Sequence, residues 1–538
     1  MLLISAFFCF HSSSFLFLKA LLFFVLMEFG IPLFHIFISF LLVLLMAIRS
    51  VRKSKARSLT QRLIPGPRKL PLIGNLHQLA GPTLPHRTLR DLATKYGTVM
   101  HLQLGQVSTV VISSAEMAEE IMKTHDIVFA SRPSLVAAKI ITYECTDIVF
   151  SPYGKYWRNL RKICTSELLS ASRVASFRSI REEEVLNLVK TIKSNDGLAV
   201  NLSQKVFSMT YGITARAAFG KKCKYQDSFI SVVAEQTKLV SGFFVSEFFP
   251  SLQFLDVVSG IKYRVEKTRA EADRILESIV NDHKESRARG RSKDDREDLV
   301  DLLLRLQEDD EFPLTDNNVK AIILDIFTAG SETSASTVEW ALSEMIKNPR
   351  VMAKAQAEVR QVFQGKGNVD ETGIHQLQYL KCVIKETLRL HPILPLLLPR
   401  ECSKNCEING FEIPSKTRVI INAWAIGRDP NHWAQPENFE PERFINSSVD
   451  FLGTNFEFIP FGAGRRICPG ILFAVPNLEL PLAQLLFHFD WKLPKQEDID
   501  MTEEFGLSVR RKNDLVLVPT PYHASIIVSQ KHKEDIFV

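Results

Sequence analysis

The sequence predicts a mainly α protein with minor β, built as one large domain behind an N-terminal membrane anchor. Three observations carry this. Helix-like apolar periodicity dominates after about residue 112. From 76 to 538 there is no Gly/Ser linker, repeat or low-complexity tract. Near the N-terminus an uncharged apolar run stops abruptly at a basic cluster.

The apolar run covers residues 31–48, 18 residues, long enough to span a bilayer when extended toward Met27. The sequence RSVRKSKAR follows from Arg49, and basic residues flanking a span mark its cytosolic side. A cleaved signal peptide is the competing reading, disfavoured by the stop-transfer pattern. Residues 1–26 form a second apolar stretch. It reads as a second span, an interfacial segment or an upstream extension, since Met27 could itself start the chain. The expected division is an extension at 1–26, an anchor at 27–48, a basic and proline-rich connector at 49–75 and a catalytic domain at 76–538.

Composition excludes several classes. With 46% hydrophobic and 23% charged residues the chain is too apolar to be disordered. Eight Cys in 538 residues are too sparse for a disulfide scaffold. On the cytosolic side Cys145, Cys164, Cys223, Cys382, Cys402 and Cys406 should be reduced. The net charge of +6 is local, because the first 70 residues hold nine basic residues and one acid. The rest is slightly acidic, which argues against nucleic-acid binding.

In chain order, residues 99–104 and 108–112 read as strands joined around Gly105. Helical patterns cover 179–192, 262–283 and about 315–348, the last ending before Pro349 and reaching about 50 Å. The densely charged stretch 283–297 reads as an exposed loop. Strand-like pieces return at 418–421 and 514–518.

Four segments carry chemistry. Phe461 to Gly470 (FGAGRRICPG) is a glycine-punctuated loop presenting Cys468. Gly464 and Gly470 permit tight turns, and Arg466 supplies a nearby charge. A thiolate there needs N–H donors or a metal; the bland alternative is a structural Cys in a turn. Glu386 and Arg389, at i and i+3, share a helix face, with Arg443 downstream in PERF. Ala329, Gly330, Glu332 and Thr333 lie inside the long helical pattern. There Gly330 is costly and serves close packing or a local opening. Trp157 and Arg161 lie one turn apart, with Arg400 in LPREC.

These segments resemble, in order, the heme-binding loop FxxGxRxCxG, the ExxR and PERF segments, the [AG]Gx[DE]T[TS] helix and the WxxxR motif of cytochromes P-450. The resemblance covers residues 60–520 and looks most like the plant 71 clan, with 168–185 and 219–224 similar to members acting on terpenoids. It implies the P-450 fold, with Cys468 as axial ligand of heme b (iron protoporphyrin IX) and thiolate ligation favouring O–O cleavage. Phe461 would pack near the ring, with Gly464 and Gly470 shaping the loop. Arg466, Trp157, Arg161 and Arg400 would serve the propionates. Glu386, Arg389 and Arg443 would lock structurally, while Thr333 and Glu332 serve dioxygen and protons beside Ala329 and Gly330. Family topology places Ile322, Ile326, Leu394, Leu396, Phe505 and Leu507 around the substrate. Their apolar character suits a small apolar substrate.

The implied activity is NADPH- and O2-dependent hydroxylation of a small apolar plant metabolite, a terpenoid. Electrons would come from a separate NADPH-dependent flavoprotein reductase, steered to Lys155, Arg158, Lys162 and Arg465, in a single-pass endoplasmic reticulum protein. Two rivals are a heme-thiolate hydroperoxide isomerase or lyase, and a non-catalytic membrane-anchored heme protein. The Glu332–Thr333 pair favours the monooxygenase over both.

Overall fold

The longest helix organises everything else. The computed structural model describes residues 64–522, apart from 196, 221–225, 241–243, 290–296, 309–313 and 496. Elements that frame the site are labelled here. The helices are α1 (Lys155–Ile163), α2 (Arg178–Lys193), α3 (Leu202–Phe219), α4 (Ile261–Ala288), α5 (Asp316–Lys347), α6 (Gln378–Leu390) and α7 (Ile471–His488). The strands are β1 (Val99–Leu104), β2 (Val107–Ile112), β3 (Arg400–Glu401), β4 (Arg418–Ile421), β5 (Glu503–Glu504) and β6 (Arg510–Arg511).

Helix α5 starts at a capping box. Thr315 Oγ1 accepts Asn318 N–H, and the Asn318 side chain accepts Thr315 N–H at 2.8 Å. It ends at Asn348, where Pro349 cannot continue it. Its 32 residues make a rod of about 48 Å. Helices α3, α6 and α7 pack around it, and the main apolar cluster fills the space between.

The sheet lies to one side. β1 and β2 form an antiparallel hairpin with Leu104 opposite Val107. Gly105 turns it at φ +60°, and a Cβ there would lie 2.5 Å from Phe248 O. β2 then pairs parallel with β4, and β4 antiparallel with β3. A second apolar cluster, including Met122, Phe129, Ile421 and Ala463, backs this sheet.

Two expectations change. The charged stretch 283–297 begins as helix, because α4 runs on to Ala288. Its charges pair along the surface, as Arg289 does with Glu285 at 2.8 Å, which supports helix instead of breaking it. The proline-rich residues 64–75 are docked on the domain. His101 N–H donates to Pro65 O at 2.8 Å, and Gln103 N–H donates to Asn75 Oδ1 at 2.8 Å.

The expected anchor at 27–48 lies outside the described residues, as do 1–26, the basic cluster at 49–57 and Cys223. Among the described residues, one helix is long and apolar enough to cross a membrane. It is α7, which is mostly buried and serves as core.

Candidate active site

Cys468 sits between a short 3-10 turn (Gly464–Arg466) and α7. Its N–H donates to Phe461 O at 2.9 Å, closing the loop, and Gly470 N–H points at Sγ from 3.4 Å. Burial pushes the Cys468 thiol up, opposed by that N–H and by the Arg161 charge. Alone it stays protonated; a metal cation would make the thiolate the stable form. The described cysteines are free.

The glycines divide differently from the sequence reading. Gly462 and Gly464 take left-handed φ of +71° and +66°. A Cβ on Gly464 would lie 2.0 Å from Met122 O and 2.9 Å from an Asp126 carboxylate oxygen. Gly470 has φ −92° and needs no special backbone. A Cβ there would lie 3.8 Å from Cys468 Sγ, an ordinary van der Waals contact.

Above the loop, guanidiniums collect. Arg466 donates to Ala130 O at 2.7 Å, Ile148 O at 3.3 Å and Ser151 O at 2.5 Å, and lies 4.0 Å from the Trp157 ring centroid. Trp157 donates its indole N–H to the same Ile148 carbonyl at 2.9 Å. Both side chains are therefore committed to backbone here. Burial, then the charge of Arg400, brings the Arg466 guanidinium down to about 9. Burial lowers Arg161 too, and the nearby Cys468 opposes that. Arg400 pairs with Asp126 at 3.2 Å and donates to Ala463 O at 3.0 Å.

Sequence reasoning missed Arg132 and Asp126. Arg132 donates to Leu398 O at 2.7 Å, Pro399 O at 3.0 Å and Val149 O at 3.2 Å. Burial, then Arg466 and Arg400, pulls its guanidinium well below the ordinary value. No motif flags an arginine that ends on carbonyls.

On α5, Gly330 admits its neighbours. A Cβ would meet the Phe473 ring of α7 at 3.2 Å and Thr214 of α3 at 3.5 Å. Its role is close packing, and the helix runs through it without a break. Ala329 is exposed although α5 is mostly buried on either side. Thr333 donates to Ala329 O at 2.6 Å. Glu332 accepts the Ser508 hydroxyl at 2.6 Å, a partner the sequence did not suggest.

Glu386 and Arg389 are fully buried and doubly bonded, with both contacts at 2.7 Å, and Arg443 Nε reaches Glu386 Oε1 at 3.0 Å. The six apolar candidates are less gathered. Ile322 is enclosed in the main core, with Ile326 packed against it. Leu396 joins a separate cluster under the hairpin. Phe505 is 40% exposed and stacks on His86 at 6.4 Å, while Leu394 and Leu507 are half-buried. Phe461 is half-buried, edge-on to Phe451 at 5.2 Å.

The donor set constrains what could bind. Arg132, Arg161, Arg400 and Arg466 are four neighbouring cations, whereas the carboxylates that act on them, Asp126 and Asp147, are two, so positive charge is in excess. A ligand with carboxylates would restore that balance. A metal cation would do the same for the Cys468 thiol. An iron porphyrin with two propionates meets both needs, and the class so defined is the heme-thiolate proteins.

The chain belongs to the cytochrome P450 family, whose model matches residues 64–518. It is 55% identical over 500 residues to tabersonine 16-hydroxylase 2 of Catharanthus roseus, covering 90% of this chain and 97% of the relative. It is 52% identical over 505 residues to premnaspirodiene oxygenase of Hyoscyamus muticus, covering 92% and 99%. A zebra fish cytochrome P450 structure with progesterone superposes with TM-score 0.71 at 25% identity, covering 82% of this chain and 100% of that one. The protein is a heme-thiolate monooxygenase.

Proposed function

We propose that this monooxygenase hydroxylates a small apolar plant metabolite of the terpenoid class, with NADPH supplying electrons through a separate flavoprotein reductase. The observation that carries the class is Cys468, a half-buried thiol with a backbone N–H aimed at its sulfur. Heme bound there supplies dioxygen activation, the chemistry that side chains lack.

The chain supplies the rest. Cys468 ligates iron from its fixed loop. Arg132, Arg161, Arg400 and Arg466 neutralise the propionates, with Trp157 stacked beneath Arg466. Glu332 and Thr333 hold and pass protons at a carboxylate and a hydroxyl on adjacent positions of α5. Ile326, Leu394 and Leu507 would meet the apolar substrate by family topology, while Leu396 packs under the hairpin and Phe505 on His86. Premnaspirodiene oxygenase supports a terpenoid; the tabersonine hydroxylase shows that alkaloids belong on the trial panel.

Lys155, Arg158, Lys162 and Arg465 form the reductase-facing patch. All four are exposed, and Arg158 and Arg465 lie 5.6 and 5.8 Å from one ring, Tyr153. A partner with an acidic face would be steered there. Residues 27–48 would anchor the domain in the endoplasmic reticulum membrane, cytosolic side out.

The test is expression in microsomes with a reductase, assayed on a terpenoid, alkaloid and phenylpropanoid panel. Oxygenated product that requires NADPH is expected. Turnover of fatty-acid hydroperoxides without NADPH would replace this reading with an isomerase or lyase.

A further inference from the structure

We propose that Ser508 is a positioning residue that holds Glu332 in a resting orientation, so that proton delivery depends on the β5–β6 hairpin; this rests on the role given to Glu332 above. Ser508 is 8% exposed, and its hydroxyl donates to Glu332 Oε1 at 2.6 Å across 176 positions. The residue lies in the connection between β5 and β6, where Glu503 pairs with Arg511 and Glu504 with Arg510.

Buried charge pins the base of this hairpin. Glu503 receives His86 at 3.2 Å and Arg87 at 2.9 Å. Arg511 donates to Ser343 Oγ on α5 at 3.0 Å. Val509 N–H donates to Ile393 O at 2.8 Å, next to Leu394. The tip is freer, with Phe505 40% exposed. The hairpin therefore places one hydroxyl against α5.

Glu332 and Thr333 are adjacent, hence about 100° apart around the helix. The carboxylate must swing to serve the side that Thr333 faces. Ser508 holds one of its oxygens at the β5–β6 connection. Breaking or displacing that hydrogen bond changes how often Glu332 reaches the proton path, without touching the helix backbone.

The test uses the full-length protein in wild-type, S508A, S508T and E332Q forms. The E332Q difference assigns the Glu332 carboxylate band in the infrared spectrum. That band is expected to move in S508A and to return in S508T. With a flavoprotein reductase and no substrate, NADPH, a proton and O2 give NADP+ and hydrogen peroxide. The rate of that leak should change in E332Q, which removes the acid, and in S508A, which frees it, in the opposite direction, by roughly tenfold, the effect of one hydrogen bond to a charged group. An unmoved band in S508A overturns the inference. So does a wild-type leak in S508A when E332Q alters it. No effect of E332Q on the leak would overturn the role of Glu332, while the band would still decide the Ser508 contact.

Discussion

The Asp126 carboxylate accepts the backbone N–H of Arg465 at 2.8 Å, across 339 positions of chain. Its other oxygen meets Arg400 at 3.2 Å, and Arg400 in turn donates to Ala463 O at 3.0 Å. One carboxylate and one guanidinium thus clamp the loop just before Cys468. Replacing Asp126 with Ala leaves Arg400 buried without its partner, which costs about 3–5 kcal/mol. Asp126→Asn keeps an acceptor for the Arg465 N–H and should lose less. Thermal unfolding of the two variants, with retention of heme absorbance, ranks them.

Gly464 and Gly470 should respond oppositely to alanine. At Gly464 a methyl would sit 2.0 Å from Met122 O, at φ +66°. Gly464→Ala should fail to assemble the loop and leave Cys468 open to thiol reagents. At Gly470 the nearest atom is 3.8 Å away and φ is −92°. Gly470→Ala should unfold within about 1 kcal/mol of wild type in denaturant, since the backbone is unstrained.

The Glu386–Arg389–Arg443 triad predicts a stability effect separate from chemistry. Glu386→Gln removes the charge that the buried Arg389 and the half-buried Arg443 share. The expected loss is about 3–5 kcal/mol in denaturant titration. Arg443→Lys should retain part of it, because Arg443 also donates to Ala434 O at 2.9 Å.

Two histidines set an acid limit. Burial, then Lys69, lowers His101 to about 4; burial, then Lys193, lowers His488 to about 4. Between the ordinary value of 6.5 and about 4, the unfolded chain binds more protons than the folded one. Stability from these residues is therefore complete above 6.5 and is lost as pH falls toward 4. The melting temperature should drop from pH 7 to pH 5, and H101N should flatten that slope. An unchanged slope in H101N would show that the imidazole is not buried neutral.

Particular residues show where sequence reading reached. Thr315 and Pro349 bracket a helix observed as Asp316–Lys347, because caps and breakers act through neighbours in the chain. The β1–β2 hairpin around Gly105 was legible for the same reason. Cys468, Glu386, Arg389 and Arg443 were legible through fixed spacing. Gly462, Asp126, Arg132 and Ser508 were not. Each acts on a group far away in sequence, and none belongs to a short pattern. Gly330 was read as a packing site or a break, and only Phe473 and Thr214 decide between these.

The sequence by itself determined the local grammar: where helices start and stop, which turn needs glycine, and which cysteine the glycine loop presents. Tertiary structure alone decided what surrounds that cysteine, namely which carboxylate clamps its loop, which arginines end on carbonyls and which hydroxyl holds Glu332. The physical reason is that propensity, capping and turn strain act between near neighbours, whereas burial and charge pairing depend on what the fold brings together across hundreds of residues.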